Sequence, residues 1–130
     1  MKAAIYGRVS TVDKQDVSTQ MDALRDYAKG KGYDEVVEFV DVGVSGAKDK
    51  RPALDKLIEG VKNKDFCAVI CYKMDRLARS LKNLMFLLNL FTENDVAFIS
   101  LSENIDLSTS IGKLMVHVLG SFSHCVSKII

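Results

Sequence analysis

Four short apolar runs, each followed by a stretch in which apolar residues recur at helical spacing, leave this chain few possible architectures. Ala3 to Val9 contains a tyrosine and β-branched residues and ends at Ser10 and Thr11, the pattern of a buried strand entering a loop. Met21, Leu24, Tyr27 and Ala28 then fall on one helical face, with Ser18 or Thr19 placed to cap the start and Gly30 and Gly32 marking the end. Val36 to Val40 reads as a second strand, and Asp41 to Asp49, with Gly43, Ser45 and Gly46, as a flexible loop. Pro52 suits the first turn of a helix through Leu54, Leu57, Ile58 and Val61. Phe66 to Tyr72 is almost continuously apolar, as expected of a strand covered on both faces. Residues 80 to 91 give another helix, through Leu81, Leu84, Met85, Leu88 and Phe91, and Val96 to Leu101 a fourth strand. This alternation predicts an α/β fold with a largely parallel sheet and right-handed crossovers, whose ligand site lies outside the carboxyl ends of its strands.

The last segment breaks the pattern. Ile111, Leu114, Met115, Val118, Leu119, Phe122, Cys125, Val126 and Ile129 form one apolar stripe, predicting a long C-terminal helix from about 108 to 130 with no strand after it. Such a stripe packs on its own domain or on a partner chain, and dimerisation is the expectation. No turn signal closes the helix, so residues 1–130 read as one domain of a longer protein. At 130 residues and 48% hydrophobic the chain suits a single domain with its own core. No apolar stretch is long enough to span a membrane, and Arg8 interrupts the first run before it could act as a signal peptide, so a cytoplasmic location is expected. Cys67, Cys71 and Cys125 are odd in number and lack metal-ligand spacing, which fits reduced core thiols.

The formal net charge of +1 hides an uneven distribution. Residues 48–82 carry ten basic and five acidic groups, whereas 83–112 carry four acidic groups and no basic one. A basic block inside a neutral protein suits either a local polyanion contact or a solvated charged face.

Arg8 and Ser10 lie two residues apart at a strand end, where alternation aims both side chains to one side. Arg76 and Arg79 follow another strand; if Asp75 caps the next helix, they lie three apart on one helical face. Guanidinium forks match phosphate oxygens and stay charged, so arginines around a hydroxyl suit phosphoryl transfer better than acyl transfer. His117 and His124 both fall in the last helix, leaving Ser10 without a histidine base and the arginines to activate it. Taken singly, each residue has a plain structural reading: Ser10 ends a strand, Asp75 caps a helix, the arginines are solvated, and Asp41 to Gly46 is a turn. Their co-occurrence at one sheet edge favours the chemical reading. No GxxxxGK[ST], GxGxxG, HExxH or Cys/His metal pattern is present, which disfavours nucleotide hydrolases, dehydrogenases and metalloenzymes.

These residues resemble the catalytic domain of the serine recombinases, the resolvase/invertase family. The resemblance spans essentially the whole chain: Tyr6-x-Arg8-Val9-Ser10-Thr11, Gln20, Asp41-x-Gly43-x-Ser45-Gly46, Arg51-Pro52-x-Leu54, Lys73-Met74-Asp75-Arg76-Leu77-x-Arg79, and Ser102-Glu103-Asn104-Ile105-Asp106 ahead of a helix containing Gly112. Arg51-Pro52 and the run Phe98 to Glu103 look more like the large members, the phage integrases and mobile-element transposases. The resemblance implies a three-layer α/β/α sandwich with a mostly parallel mixed sheet. It also implies that Ser10 attacks a DNA phosphodiester and forms a 5′-phosphoserine bond without metal or cofactor. Arg8, Arg76 and Arg79 would contact the scissile phosphate, Arg51 would approach it from a mobile loop, and Gln20, Ser45 and Asp75 would support the site. The partners implied are DNA and further copies of the chain, as a dimer and then a synaptic tetramer, in a bacterial, phage or mobile-element setting.

The chain departs from the family pattern in the last helix, where members usually carry a Glu-Arg pair and this sequence has Val126-Ser127. The missing arginine normally belongs to the active-site set, so a cleavage-incompetent dimerisation module is the competing expectation. A small phosphoester enzyme or phosphate binder using the same arginine pocket is a weaker third. Gly60 stands at about the position where small resolvases carry a basic residue.

Overall fold

The chain runs through β1 (Lys2–Ser10), α1 (Lys14–Gly30), β2 (Glu35–Gly43), α2 (Pro52–Lys62), β3 (Ala68–Cys71), α3 (Met74–Leu77), α4 (Leu81–Glu93), β4 (Ala97–Ser100) and β5 (Ile105–Leu107). This computed structural model describes residues 1–10, 14–43, 51–78, 80–107, 110–112, 114, 117, 118 and 121. The strands form one sheet in the order β2-β1-β3-β4-β5, parallel throughout except for the antiparallel β4–β5 pair. The chain leaves β1 toward β2 and returns to β3 on the other side of β1. Sheets of this order bind ligands at that reversal, outside the carboxyl ends of the two strands that flank it, here β1 and β3.

Alternation along β1 divides the core in two. Ala3 and Ile5 pack with Met21, Leu24 and Ala28 of α1. Ala4 and Tyr6 pack with Leu54, Leu57 and Val61 of α2 and with Leu87, Leu88 and Phe91 of α4. The result is the expected α/β/α layering, with α1 on one face and α2 and α4 on the other among the described residues. All four residues of β3 are buried, which explains its lack of a polar alternation.

Several boundaries differ from those read in the sequence. Helix α1 begins at Lys14, ahead of the expected cap at Ser18 or Thr19. Strand β2 continues through Asp41 to Gly43 instead of yielding to a loop at Asp41, because β1 extends to Ser10 and pairs Arg8 with Asp41 and Ser10 with Gly43. The antiparallel β5 is only three residues long, too short to leave a periodicity. Of the expected last helix, residues 110–112, 114, 117, 118 and 121 are helical, and the remainder lies outside the described residues. A Cβ on Gly112 would sit 3.1 Å from Thr92 Oγ1, so this segment starts close against α4. Ile111, Leu114 and Val118 are 49%, 64% and 54% exposed, so the described part of the apolar stripe faces outward. Cys71 is buried, Cys67 half-buried and both are free thiols, whereas Cys125 lies outside the described residues. Among the described residues no helix is long and apolar enough to cross a membrane.

Candidate active site

Arg8 lies near the carboxyl end of β1, in register with Asp41 of β2, and Ser10 is the last residue of the strand. The neighbouring strand, β3, ends at Cys71, and after Tyr72 and Lys73 comes α3, with Asp75 and Arg76 in its single turn. The sheet thus brings the backbones of Ser10, Arg8, Asp75 and Arg76 to the same edge. The side chains of Ser10, Asp75 and Arg76, and all of Ser45 and Arg79, lie outside the described residues.

The expectation that Asp75 caps the helix that bears Arg76 is corrected. The N-cap of α3 is Lys73, Asp75 is the second residue inside it, and Ala78 ends it in an extended conformation. The next helix, α4, is capped by Ser80, whose Oγ accepts from Asn83 N at 3.1 Å. Of the two arginines, Arg76 belongs to α3, and Arg79 lies outside the described residues. The cap role passes from Asp75 because a more distant carboxylate supplies the acceptor: Glu103 Oε1 accepts from Met74 N at 2.7 Å.

A second carboxylate does the same for α2. Its formal cap, Arg51, makes no side-chain capping bond, and Pro52 has no N–H to satisfy. The next amides need an acceptor from elsewhere. Asp41 Oδ1 accepts from Ala53 N at 2.8 Å and Oδ2 from Leu54 N at 3.0 Å. The same Oδ2 accepts from the Tyr6 hydroxyl at 2.7 Å. Asp41 is only 3% exposed, and its negative charge sits at the positive end of a helix. Burial, then the Asp41 bond, pushes the Tyr6 phenol far above its usual range, so Tyr6 stays a neutral donor.

Arg51 is buried at the other side of this joint. Its Nη1 donates to Leu77 O at 2.6 Å, and its guanidinium carbon lies 5.9 Å from the centre of the Tyr6 ring. The structure therefore places Arg51 as a brace between the start of α2 and the end of α3, where a reach from a mobile loop is the expectation. Gln20 is buried on α1. Beside it, Met21 packs so closely on β1 that a Cβ on Gly7 would come within 2.6 Å of its Sδ, so a side chain there would require the Met21 thioether to shift. Gly60 is similarly constrained: a Cβ there would lie 2.4 Å from Phe66 Cε2. A basic side chain at 60 is excluded while Phe66 keeps this position.

Sequence reasoning missed Tyr6, Asp41 and Glu103 as the parts that hold the arginine-bearing segments. An aspartate just after a strand and ahead of an uncapped Arg-Pro helix start was the signal available for Asp41.

Residues 3–130 match the family model described as Resolvase, N terminal domain. The chain belongs to the resolvase family. Among curated resolvase-family relatives, the transposon Tn917 resolvase of Enterococcus faecalis is 41% identical over 96% of this chain and 62% of its own length. The DNA-invertase hin of Salmonella typhimurium is 32% identical over 96% of this chain and 60% of its own. The chain therefore spans somewhat under two thirds of those relatives. The crystal structure of the N-terminal catalytic domain of TP901-1 integrase is 40% identical and superposes with a TM-score of 0.82, covering 99% of this chain and 98% of that one. The family and the mixed α/β fold expected from the sequence thus hold for a resolvase-family domain. Identities of 41% to a resolvase and 40% to an integrase do not separate the subclasses.

Proposed function

We propose that this resolvase-family chain is the catalytic domain of a site-specific DNA recombinase, with Ser10 as the nucleophile. The Ser10 oxygen attacks a phosphodiester phosphorus and forms a 5′-phosphoserine bond while the bond to the 3′ oxygen breaks. The 3′ oxygen leaves as a hydroxyl, taking up one proton, and the serine hydroxyl gives one up. Because the phosphoserine ester retains the bond energy, the reversed reaction rejoins strands. Arg8 and Arg76, with Arg79, stabilise the charge on the phosphate oxygens in transit. Asp75, Ser45 and Gln20 support the site, and Arg51 holds the arginine-bearing turn.

One observation carries this reading: the strand order reverses where β1 delivers Arg8 and Ser10, beside the turn of α3 that carries Arg76. The partners proposed are duplex DNA and, through the outward stripe of Ile111, Leu114 and Val118, a second copy of the chain, with a tetramer in synapsis. The setting is cytoplasmic, in a bacterium or mobile element, and the Arg51-Pro52 start of α2 favours an integrase-like role. The reading as a dimerisation module without cleavage draws no support from relatives named as resolvases and DNA-invertases. A nicked suicide duplex that traps the covalent intermediate tests the proposal: wild type gives an adduct and Ser10→Ala gives none. An undiminished adduct in the variant would remove Ser10 from the mechanism.

A further inference from the structure

We propose that Glu103 is a positioning residue for the arginine-bearing turn α3, acting through the Met74 amide. Its kinetic consequence rests on the cleavage reading above; its structural consequence does not.

Helix α3 has four residues, and the bond from Ala78 N to Met74 O at 2.9 Å closes its one turn. A turn that short does not hold itself, because nucleation fixes several residues for one hydrogen bond. Its orientation is set from outside, at both ends. Arg51 Nη1 holds the Leu77 carbonyl at the C-terminal end at 2.6 Å. At the N-terminal end Glu103 Oε1 receives two donors, Met74 N and the hydroxyl of the fully buried Ser100, each at 2.7 Å. A carboxylate accepting from a backbone amide makes a charge-assisted bond, roughly twice as strong as a neutral one.

Glu103 is itself delivered rigidly. Leu101 N donates to Cys71 O at 3.0 Å and Ser102 N to Tyr72 O at 2.8 Å, so the exit of β4 is zipped to the exit of β3. Asn104, at φ 53°, then turns the chain back into β5. Glu103 thus ties the lip of the sheet to Met74, two residues before Arg76. Loss of the clamp shifts that backbone relative to Ser10, and misplacements of about 1 Å cost on the order of 100-fold in rate.

The test uses the whole chain and a nicked suicide duplex under single-turnover conditions, with amide hydrogen exchange at Met74 as a second readout. Glu103→Ala forms adduct about 100-fold more slowly with unchanged affinity for an uncleavable duplex, and its Met74 amide exchanges faster. Glu103→Gln, which keeps an acceptor oxygen, recovers most of the rate, and Ser100→Ala loses part of it. Should Glu103→Ala fail to fold, Ser100→Ala and Glu103→Gln carry the comparison. Wild-type cleavage by Glu103→Ala, or unchanged exchange at Met74, overturns the inference. If wild type forms no adduct, the cleavage reading fails, and faster exchange at Met74 in Glu103→Ala still supports the clamp.

Discussion

The Tyr6 hydroxyl donates to Asp41 Oδ2 at 2.7 Å across two neighbouring strands, while the same carboxylate caps the first amides of α2. One buried group thereby fixes the strand that bears Arg8 and Ser10 to the helix that begins at Pro52. Asp41→Ala strands the phenol and two amides without an acceptor and lowers stability by about 3 kcal/mol in urea denaturation. Tyr6→Phe costs about 1 kcal/mol, and the double variant loses less than the sum, because the two changes remove one shared bond. Strict additivity contradicts the network.

Gly60→Ala places a methyl group against the Phe66 ring and destabilises by about 1–3 kcal/mol. Phe66→Leu, which vacates the ring position, makes the second change cheaper. Equal costs in both backgrounds would mean that the ring does not set the size limit at 60.

Arg25 binds Glu38 through two bonds, at 2.7 and 2.6 Å, and tethers α1 to β2. The Arg25 bond holds the Glu38 carboxyl below its usual 4.5. A depressed carboxylate contributes stability above its unfolded value and loses it as pH falls through the folded one. Wild type is therefore more stable than Glu38→Gln at neutral pH, and the gap closes as pH drops below about 4.5. Because both side chains are substantially exposed, salt also narrows it. Thermal melts at several pH values check this, and a gap that persists at low pH opposes it.

Leu114→Asp with Val118→Asp puts charge on the outward apolar stripe and weakens self-association, seen as a shift toward monomer in sedimentation. Unchanged association places the contact elsewhere.

The βα alternation was readable because β1, β3 and β4 are buried on both faces and their helices on one, so hydrophobicity carries the signal. The strand-end position of Arg8 and Ser10 followed directly. Asp41 read as a loop residue because its acceptor role needs Tyr6 and the α2 amides, which meet it only after folding. Asp75 read as a cap for the same reason: local pattern cannot show that Glu103, 29 residues from Met74, supplies that acceptor. The depth of Arg51 escaped notice because an arginine beside a glycine-rich stretch looks exposed until its carbonyl partner, Leu77 O, is known.

Mapping the phosphorylated residue in the covalent complex tests the central claim most directly. After nuclease trimming and proteolysis, the account predicts one nucleotide-bearing peptide, modified through its 5′ phosphate at Ser10. A 3′-phosphate linkage, or attachment at any other side chain, would contradict it.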